Sequence, residues 1–475
     1  METSLDHFRV KYSLPCLGVW LVYWLAYFPG LADADALITQ WRQITLGYFW
    51  DGFTSVYTLI DWVITRVWFS PAAITLAQVL ALSAIVGWGL AKFARIGVPG
   101  RLLWLVCWLL ALSPVMGMVS IIAWKDVPYG IGILWLTLLI MEVVATRGRW
   151  LATSRLNVVW LAMALSLVAL IRHEGIALAI LVLLLLGAAY RRHWKRLVAA
   201  SLILGALYAA MLGPIYDLAH VSRVTVTPGV VVHQVGALVA AGTPLSSQEK
   251  ETLGKILPLE EWKTLYFPWD DNSLIYSPDF RLADFPAADD EASKKLIGDL
   301  LRVWASLVRK NPAAALENMV RGGEIVWRVS QDRPWYTVPS SFPENDVGLR
   351  PQSQWPEMRE LLDRVVAATQ TRYLNWIFWR PALFLYLILA LTVATAVRTR
   401  YALWLLYAAP AVLQATSVFL LLHQQYFRYL FGVYLVGMFS LCLLWLIVRG
   451  SDGATGEDKA SVPDGVSPVL QGSRG

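Results

Sequence analysis

Residues 156–196 read LNVVWLAMALSLVALIRHEGIALAILVLLLLGAAYRRHWKR: two apolar runs, 156–171 and 175–190, joined by Arg172-His173-Glu174-Gly175 and closed by a basic cluster. Helices apolar on every face do not belong in water; they are stable where lipid is the solvent. The pair predicts a membrane hairpin, short for a full crossing, that tilts or fails to cross completely. The whole chain agrees: of its 475 residues 57% are hydrophobic and 16% charged, with a mean hydropathy of +0.52. Many of the 24 Trp and 19 Tyr flank apolar runs, where amphipathic rings suit the headgroup zone.

Working outward, further apolar runs lie at 14–29, 71–91, 102–123, 127–146, 197–216, 376–397, 401–422 and 427–448. With about 20 residues needed per crossing, the expectation is an all-α polytopic membrane protein with about ten transmembrane helices. Every second loop is basic: Arg9 and Lys11; Lys92, Arg95 and Arg101; Arg147, Arg149 and Arg155; Arg191, Arg192, Lys195 and Arg196; Arg398 and Arg400; Arg449. The positive-inside rule puts these loops and both termini in the cytoplasm of a cell inner (plasma) membrane protein. The amino-terminal run has no small-x-small cleavage site before Asp33, so it reads as an uncleaved first span. A net charge of +6 is explained by these loops; no basic groove or aromatic-basic repeat points to nucleic acid. Cys16, Cys107 and Cys442 all sit inside apolar runs and define neither a disulfide framework nor a zinc site.

The remaining loops are then extracytoplasmic. In the first of them, 30–70, Leu37, Trp41, Ile44 and Tyr48 have helical spacing, and Thr54, Thr58, Asp61 and Thr65 make a polar stripe on a second segment; two interfacial helices fit. Four domains are expected: a catalytic membrane module over 1–217, a mainly helical extracytoplasmic segment over 218–375, three further spans over 376–449, and a disordered cytoplasmic tail over 450–475. Within the second, Asn311-Pro312 is a helix start and 289–310 has helical periodicity.

Polar residues otherwise out of place near a membrane all fall in the extracytoplasmic loops: Asp33 and Asp35; Lys125 and Asp126; Arg172, His173 and Glu174; His423, Gln424, Gln425, Tyr426 and Arg428. A shared site on one face is the economical reading. Asp33 and Asp35 could take a proton from an acceptor or hold a cation against a phosphate, or equally cap an interfacial helix. Lys125 and Asp126 could meet a lipid phosphate, or form a snorkelling pair. Three ionisable groups in a four-residue hairpin are costly unless they face water or a polar pocket, and a guanidinium at Arg172 or Arg428 binds phosphate bidentately. The plain reading of Arg428 is a helix-end snorkel. His220 and His233 have no second ligand at metal spacing, and no HExxH, CxxC or Gly-rich phosphate loop occurs, which argues against a zinc hydrolase or a nucleotide-fuelled pump.

At these residues the chain resembles the membrane glycosyltransferases of the GT-C superfamily, in the clan of the dolichyl-phosphate-mannose-type protein mannosyltransferases and aminoarabinose transferases. The likeness rests on Tyr27-Phe28-Pro29-Gly30 followed by Asp35 and Gln40, Ser70-Pro71 with Gln78, Trp124-Lys125-Asp126, and Arg172 to Gly175. It covers residues 20–180 and extends beyond them only in layout, through Arg309-Lys310-Asn311-Pro312 and Arg428. Where related chains carry an Asp-x-His-Pro turn in the first loop, this one has Asp51-Gly52-Phe53-Thr54.

The resemblance implies an inverting transferase that moves a sugar from a polyprenyl-phosphate donor to a saccharide, lipid or protein acceptor on the extracytoplasmic face. It makes Asp35 the base, with Asp33 assisting, and gives the leaving phosphate to Lys125, Arg172 and Arg428. Asp126, Glu174 and His173 support these groups, and Asp33, Asp35 and Asp126 are the candidate ligands of a divalent cation, Mg or Mn. A transporter or flippase of lipid-linked saccharide is the main alternative, but it predicts midplane charges and an internal repeat, neither of which is evident. A non-catalytic membrane scaffold is the other.

Overall fold

The computed structural model describes residues 2–33, 40–223, 229–282, 291–330, 338–339, 341–342, 344–421 and 424–449. Asp35, His423 and the tail 450–475 lie outside them, as does most of the predicted first interfacial helix, of which Arg42–Leu46 is described. The described chain is mostly helical with almost no sheet; its one sheet pairs Phe49–Trp50 in parallel with Val221–Ser222.

Among the described residues, six helical stretches are long and apolar enough to cross a bilayer: Pro71–Arg95, Asp126–Ala145, Arg191–Leu218, Pro381–Arg398, Ala402–Leu421 and Phe427–Arg449. The predicted run 102–123 is a broken pair, Gly100–Leu112 and Pro114–Ser120, bent by 60°. Pro114 cannot donate to the preceding turn, and the Ser113 hydroxyl caps the new helix by accepting from Met116 N at 3.4 Å. Val10–Ala26, Arg155–Ile171 and Gly175–Ala189 are shorter apolar helices; at about 1.5 Å rise per residue they span about 22–26 Å, less than a bilayer's hydrocarbon core. The protein is thus an all-α polytopic membrane protein.

The bundle has one continuous core, in which Trp20, Phe93, Val106, Leu134, Leu165, Tyr407, Phe431 and Phe439 are fully buried. Its two ends differ in chemistry. At one end the basic loops gather: Gly97 lies against Arg449, the Tyr190 and Tyr401 hydroxyls are 3.1 Å apart, and Arg147 lies over the Tyr401 ring. Lys92 and Glu142 are buried there as an ion pair at 2.9 Å. The other end carries the acidic and mixed loops, and against it sits a second core, formed by Val232, Val235, Leu238, Leu253, Trp262, Leu274, Leu300 and Leu307. Asn311 caps the helix Pro312–Gly322 by accepting from Ala314 N at 3.2 Å, as its sequence predicts.

This second unit is fastened to the site end of the bundle by backbone as well as side chains. Gln425 N donates to Trp269 O at 3.2 Å, and the Gln425 amide donates to the carbonyls of Arg321 and Gly322. Outside that unit, the stretch that leads into the helix Pro356–Thr369 docks directly on the bundle: Gln352 N donates to Phe28 O at 2.8 Å and the Tyr27 hydroxyl donates to Asp363 at 2.7 Å.

The helix Ser55–Val67 is amphipathic in the inverse sense for a water-soluble helix. Thr58, Asp61 and Thr65 face the protein and are buried, while Ile60, Val63 and Val67 are exposed. A surface that meets lipid favours this orientation, because apolar side chains lose nothing by facing outward there.

Candidate functional site

The site is assembled from four segments that meet at the acidic end of the bundle. After the first helix ends at Ala26, Gly30 reverses the chain with φ +114°; a Cβ there would lie 2.6 Å from Thr75 Cγ2 and 2.9 Å from the Ile121 carbonyl, so the turn requires glycine. That close approach lets Leu31 N donate to Ile121 O at 2.9 Å and Ala123 N to Leu31 O at 3.1 Å. The ladder sets Asp33 beside Trp124, whose indole N–H donates to its carboxylate at 2.7 Å.

The hairpin 172–175 is equally tight: a Cβ on Gly175 would fall 1.9 Å from the Val168 carbonyl, so no larger residue closes the turn. It directs Arg172 toward the helix start at Asp126. The fourth segment is the short turn Phe427–Leu430, which carries Arg428 inward between Tyr426 and Tyr429.

These segments link into one chain of charge. Arg428 donates to Asp33 and lies with its Nε 3.8 Å from Asp126 Oδ2; Arg172 donates to the other oxygen of Asp126 and, through its Nε, to Glu174. Asp126 is therefore shared between two guanidinium groups. Aromatic faces complete both cation sites: Trp124, Tyr426 and Tyr429 stand 5.0–5.4 Å from Arg428, and Tyr429 and Tyr129 stand 4.9 and 5.6 Å from Arg172. Arg428 and Asp126 are buried, so Arg428 is not the snorkelling helix-end residue of the plain reading.

Electrostatics follow from this packing. Burial works to lower the Arg172 pKa, but Glu174 and Asp126 outweigh it and hold the guanidinium charged above its ordinary value. Burial also works against the Glu174 carboxylate, yet the charges of Arg172 and Lys125 bring its pKa below the usual range. Lys125, next in chain to Asp126, is brought down to about 8, first by burial and then by repulsion from Arg172.

His173, the middle residue of the hairpin, turns away from its neighbours. Its Nε2 is 3.6 Å from Asp51 Oδ2, and Asp51 also accepts from the Tyr216 hydroxyl at 2.7 Å and from Ser55 N at 2.9 Å. Burial raises the Asp51 pKa less than these partners, His173 foremost, lower it. A histidine absent from the first loop in sequence thus stands beside that loop's aspartate in space.

Gln40 and Gln78 serve the scaffold of the site. Gln40 donates to buried Asp61, whose pKa burial raises well above the carboxylate range; Gln78 accepts from the Tyr57 hydroxyl at 3.3 Å and donates to Ile122 O at 2.8 Å. His233 is structural: its Nε2 is 2.8 Å from the Phe267 carbonyl and its Nδ1 is 3.4 Å from the Asn318 amide.

Of the sequence candidates, Asp33, Asp126, Arg172, Glu174 and Arg428 come into one network, with Lys125 at its edge and His173 pointing to a neighbouring one. Asp51, Tyr216, Tyr129 and Tyr429 escaped the sequence reading. Tyr426 and Tyr429 at helical spacing around Arg428 were the one available signal. Asp33 and Asp126 both face Arg428, and among the described residues no group of three His, Cys, Asp or Glu side chains is assembled; Asp35, the third candidate ligand, lies outside them.

The family described as of unknown function (DUF6020) matches residues 62–459, and the chain belongs to it. No curated protein and no solved structure matches the chain.

Proposed function

We propose that the chain is an inverting glycosyltransferase that uses a polyprenyl-phosphate-linked sugar on the extracytoplasmic side of the membrane. The observation that carries this reading is the convergence of Arg172, Arg428 and Lys125, with their carboxylate partners, at the end of an apolar bundle. A phosphate bonded to a prenyl chain must lie at that depth, its tail in lipid and its charge at the bilayer edge.

The reaction is a single displacement. A carboxylate, Asp35 by the resemblance, takes the acceptor O–H proton; the acceptor oxygen bonds to the anomeric carbon, and the bond from that carbon to the phosphate oxygen breaks with inversion. Negative charge grows on the departing polyprenyl phosphate, where Arg172 and Arg428 stabilise it and where aromatic walls exclude water. Asp126 and Glu174 orient the two guanidinium groups, and Asp33 holds Arg428.

The same proposal includes ten crossings, the three short helices tilting or thinning the bilayer locally, with both termini cytoplasmic. Cysteine accessibility at residues 100 and 350 from opposite sides of oriented vesicles tests the topology.

A second reading has one observation in its favour: Arg172 and Arg428 already have carboxylate partners, as in a packing network in a non-catalytic scaffold. The deciding experiment measures transfer of labelled sugar from a panel of polyprenyl-phosphate sugars by purified wild type and by Asp35→Asn and Arg428→Gln. The transferase reading expects activity in wild type and its loss in both variants, with folding retained. Equal transfer by all three would remove these residues from the reaction, and no transfer from any donor would favour the scaffold.

A further inference from the structure

Away from that network, a second cationic cluster lies at the same end of the bundle. Arg380 immediately precedes Pro381, which opens the helix Pro381–Arg398. The residue before a proline is held extended, and here φ −111° and ψ 99° turn Arg380 into the protein rather than along the helix. It is only 4% exposed, and among the described residues its side chain has no hydrogen-bond acceptor.

Among the described residues, the carboxylate whose charge acts on Arg380 is already in use. Glu324, itself buried, accepts from the Trp269 indole at 3.1 Å and pairs one turn along its helix with Arg328 at 3.3 Å. Glu324 is thus taken by Arg328 and reaches Arg380 only as a nearby charge, so the described cluster of two arginines and one carboxylate keeps a net positive charge. Burial, and after it the neighbouring charge of Arg328, brings the Arg380 pKa down to about 10. A guanidinium so placed is costly unless an anion meets it.

The surroundings indicate which anion. Trp327, Trp376 and Tyr386 are large and exposed around the cluster, and the Tyr386 hydroxyl donates to the Trp327 carbonyl, tying the membrane helix to the segment that carries Arg328. Exposed Trp and Tyr at a helix start mark the headgroup level of a bilayer. At that depth the abundant anion is phosphate on a lipid.

We propose that Arg380 and Arg328 form an anion site, separate from the Asp33–Arg428 network, that takes the phosphate group of an anionic phospholipid headgroup. A planar guanidinium binds two phosphate oxygens at once, so Arg380 supplies the main contact, and Arg328, half-turned to solvent, closes over it. The site fixes lipid to the joint between the second core and the bundle, and it does so whether or not the protein transfers sugar.

The test uses the purified full chain in nanodiscs of phosphatidylcholine alone or with added phosphatidylglycerol, and in phosphatidylcholine with inorganic phosphate. Thermal midpoints are read in each, and lipid retained after detergent extraction is counted by native mass spectrometry. Phosphatidylglycerol is expected to raise the wild-type midpoint and leave one tightly retained lipid. Arg380→Met should lose that rise and cut the retained lipid at least fivefold; Arg328→Gln should weaken both.

Loss of folding cannot imitate this result, because Arg380→Met removes an uncompensated buried charge and should match or exceed wild type in phosphatidylcholine alone. A lower midpoint there would mean that Arg380 serves packing, and would overturn the proposal. So would a variant that keeps the phosphatidylglycerol response, or an equal response of wild type to inorganic phosphate alone.

Discussion

Replacing Asp126 with Asn tests the charge network at its centre. The change keeps side-chain shape and removes a carboxylate that, among the described residues, both Arg172 and Arg428 approach, in a position that is 3% exposed. At the 3.8 Å between Arg428 and Asp126, a unit charge pair at an effective dielectric near 20 is worth about 4 kcal/mol before desolvation is counted. Removing one partner from a buried pair costs about 3–5 kcal/mol, because the other charge stays buried. With about 2.1 cal/mol/K of unfolding entropy per residue, a 475-residue chain loses about 3–5 °C of thermal midpoint for that destabilisation, and more if a smaller unit unfolds. Tryptophan fluorescence in detergent micelles reads the midpoint. Adding Arg172→Gln should recover part of the loss, since the second change removes one of the two cations that have lost the Asp126 charge. Polyprenyl phosphate separates function from packing: with its internal competitor gone, phosphate should bind Asp126→Asn more tightly, by about tenfold for 1.4 kcal/mol. A midpoint within a degree of wild type would refute the account of a desolvated pair. Unchanged phosphate affinity would refute the claim that the arginines are poised for phosphate.

Three further outcomes follow from the same structure. Lys125, with its pKa brought to about 8 by burial and by Arg172, should attract the donor phosphate below that pH and lose the attraction as pH rises through it; Lys125→Arg should give a flat binding profile across the same range. The stability effect has the opposite sign, since the fold disfavours the charge: wild type should gain stability between about pH 8 and the ordinary lysine value near 10.4, read as a thermal midpoint against pH. Gly30→Ala forces a Cβ into Thr75 and the Ile121 carbonyl at a φ of +114°; a loss of about 1–3 kcal/mol is expected, with quenching changes at Trp124 as Asp33 moves, and a neutral result would contradict the tight turn. In the second core, burial opposes the charge of Glu249, but Lys310, Ser246 and Ser306 bring its pKa to about 2. Its stabilisation should be complete above the ordinary value near 4.3 and disappear as pH falls toward 2. Glu249→Gln should speed hydrogen exchange across 229–322 at neutral pH and change nothing at the acid limit.

The all-α membrane fold was legible in the sequence because lipid imposes a coarse rule: every backbone group must be satisfied within its own helix, and side chains facing lipid must be apolar. The hairpin around Arg172, the Asn311 cap and the gathering of charged loops at one end were all local or periodic signals of this kind. How many helices cross was less legible, since hydropathy counts residues and not the bend at Ser113-Pro114. Which charges meet was beyond local pattern. Arg172 and His173 are chain neighbours, yet one joins Asp126 and the other Asp51, because adjacent side chains at a tight turn leave it in different directions. Asp33 and Arg428 lie at opposite ends of the chain and touch only because Gly30 lets the first loop lie against Ile121 and Ala123. Arg380 reads as an ordinary helix-start arginine until packing shows that Glu324 is taken by Arg328 and Trp269. Periodicity and composition are properties of a segment and its solvent, so the sequence by itself determined a helical chain in a bilayer with its mixed-charge loops gathered at one edge. Partnership is a property of packed surfaces, and only the tertiary structure decided which acid faces which base.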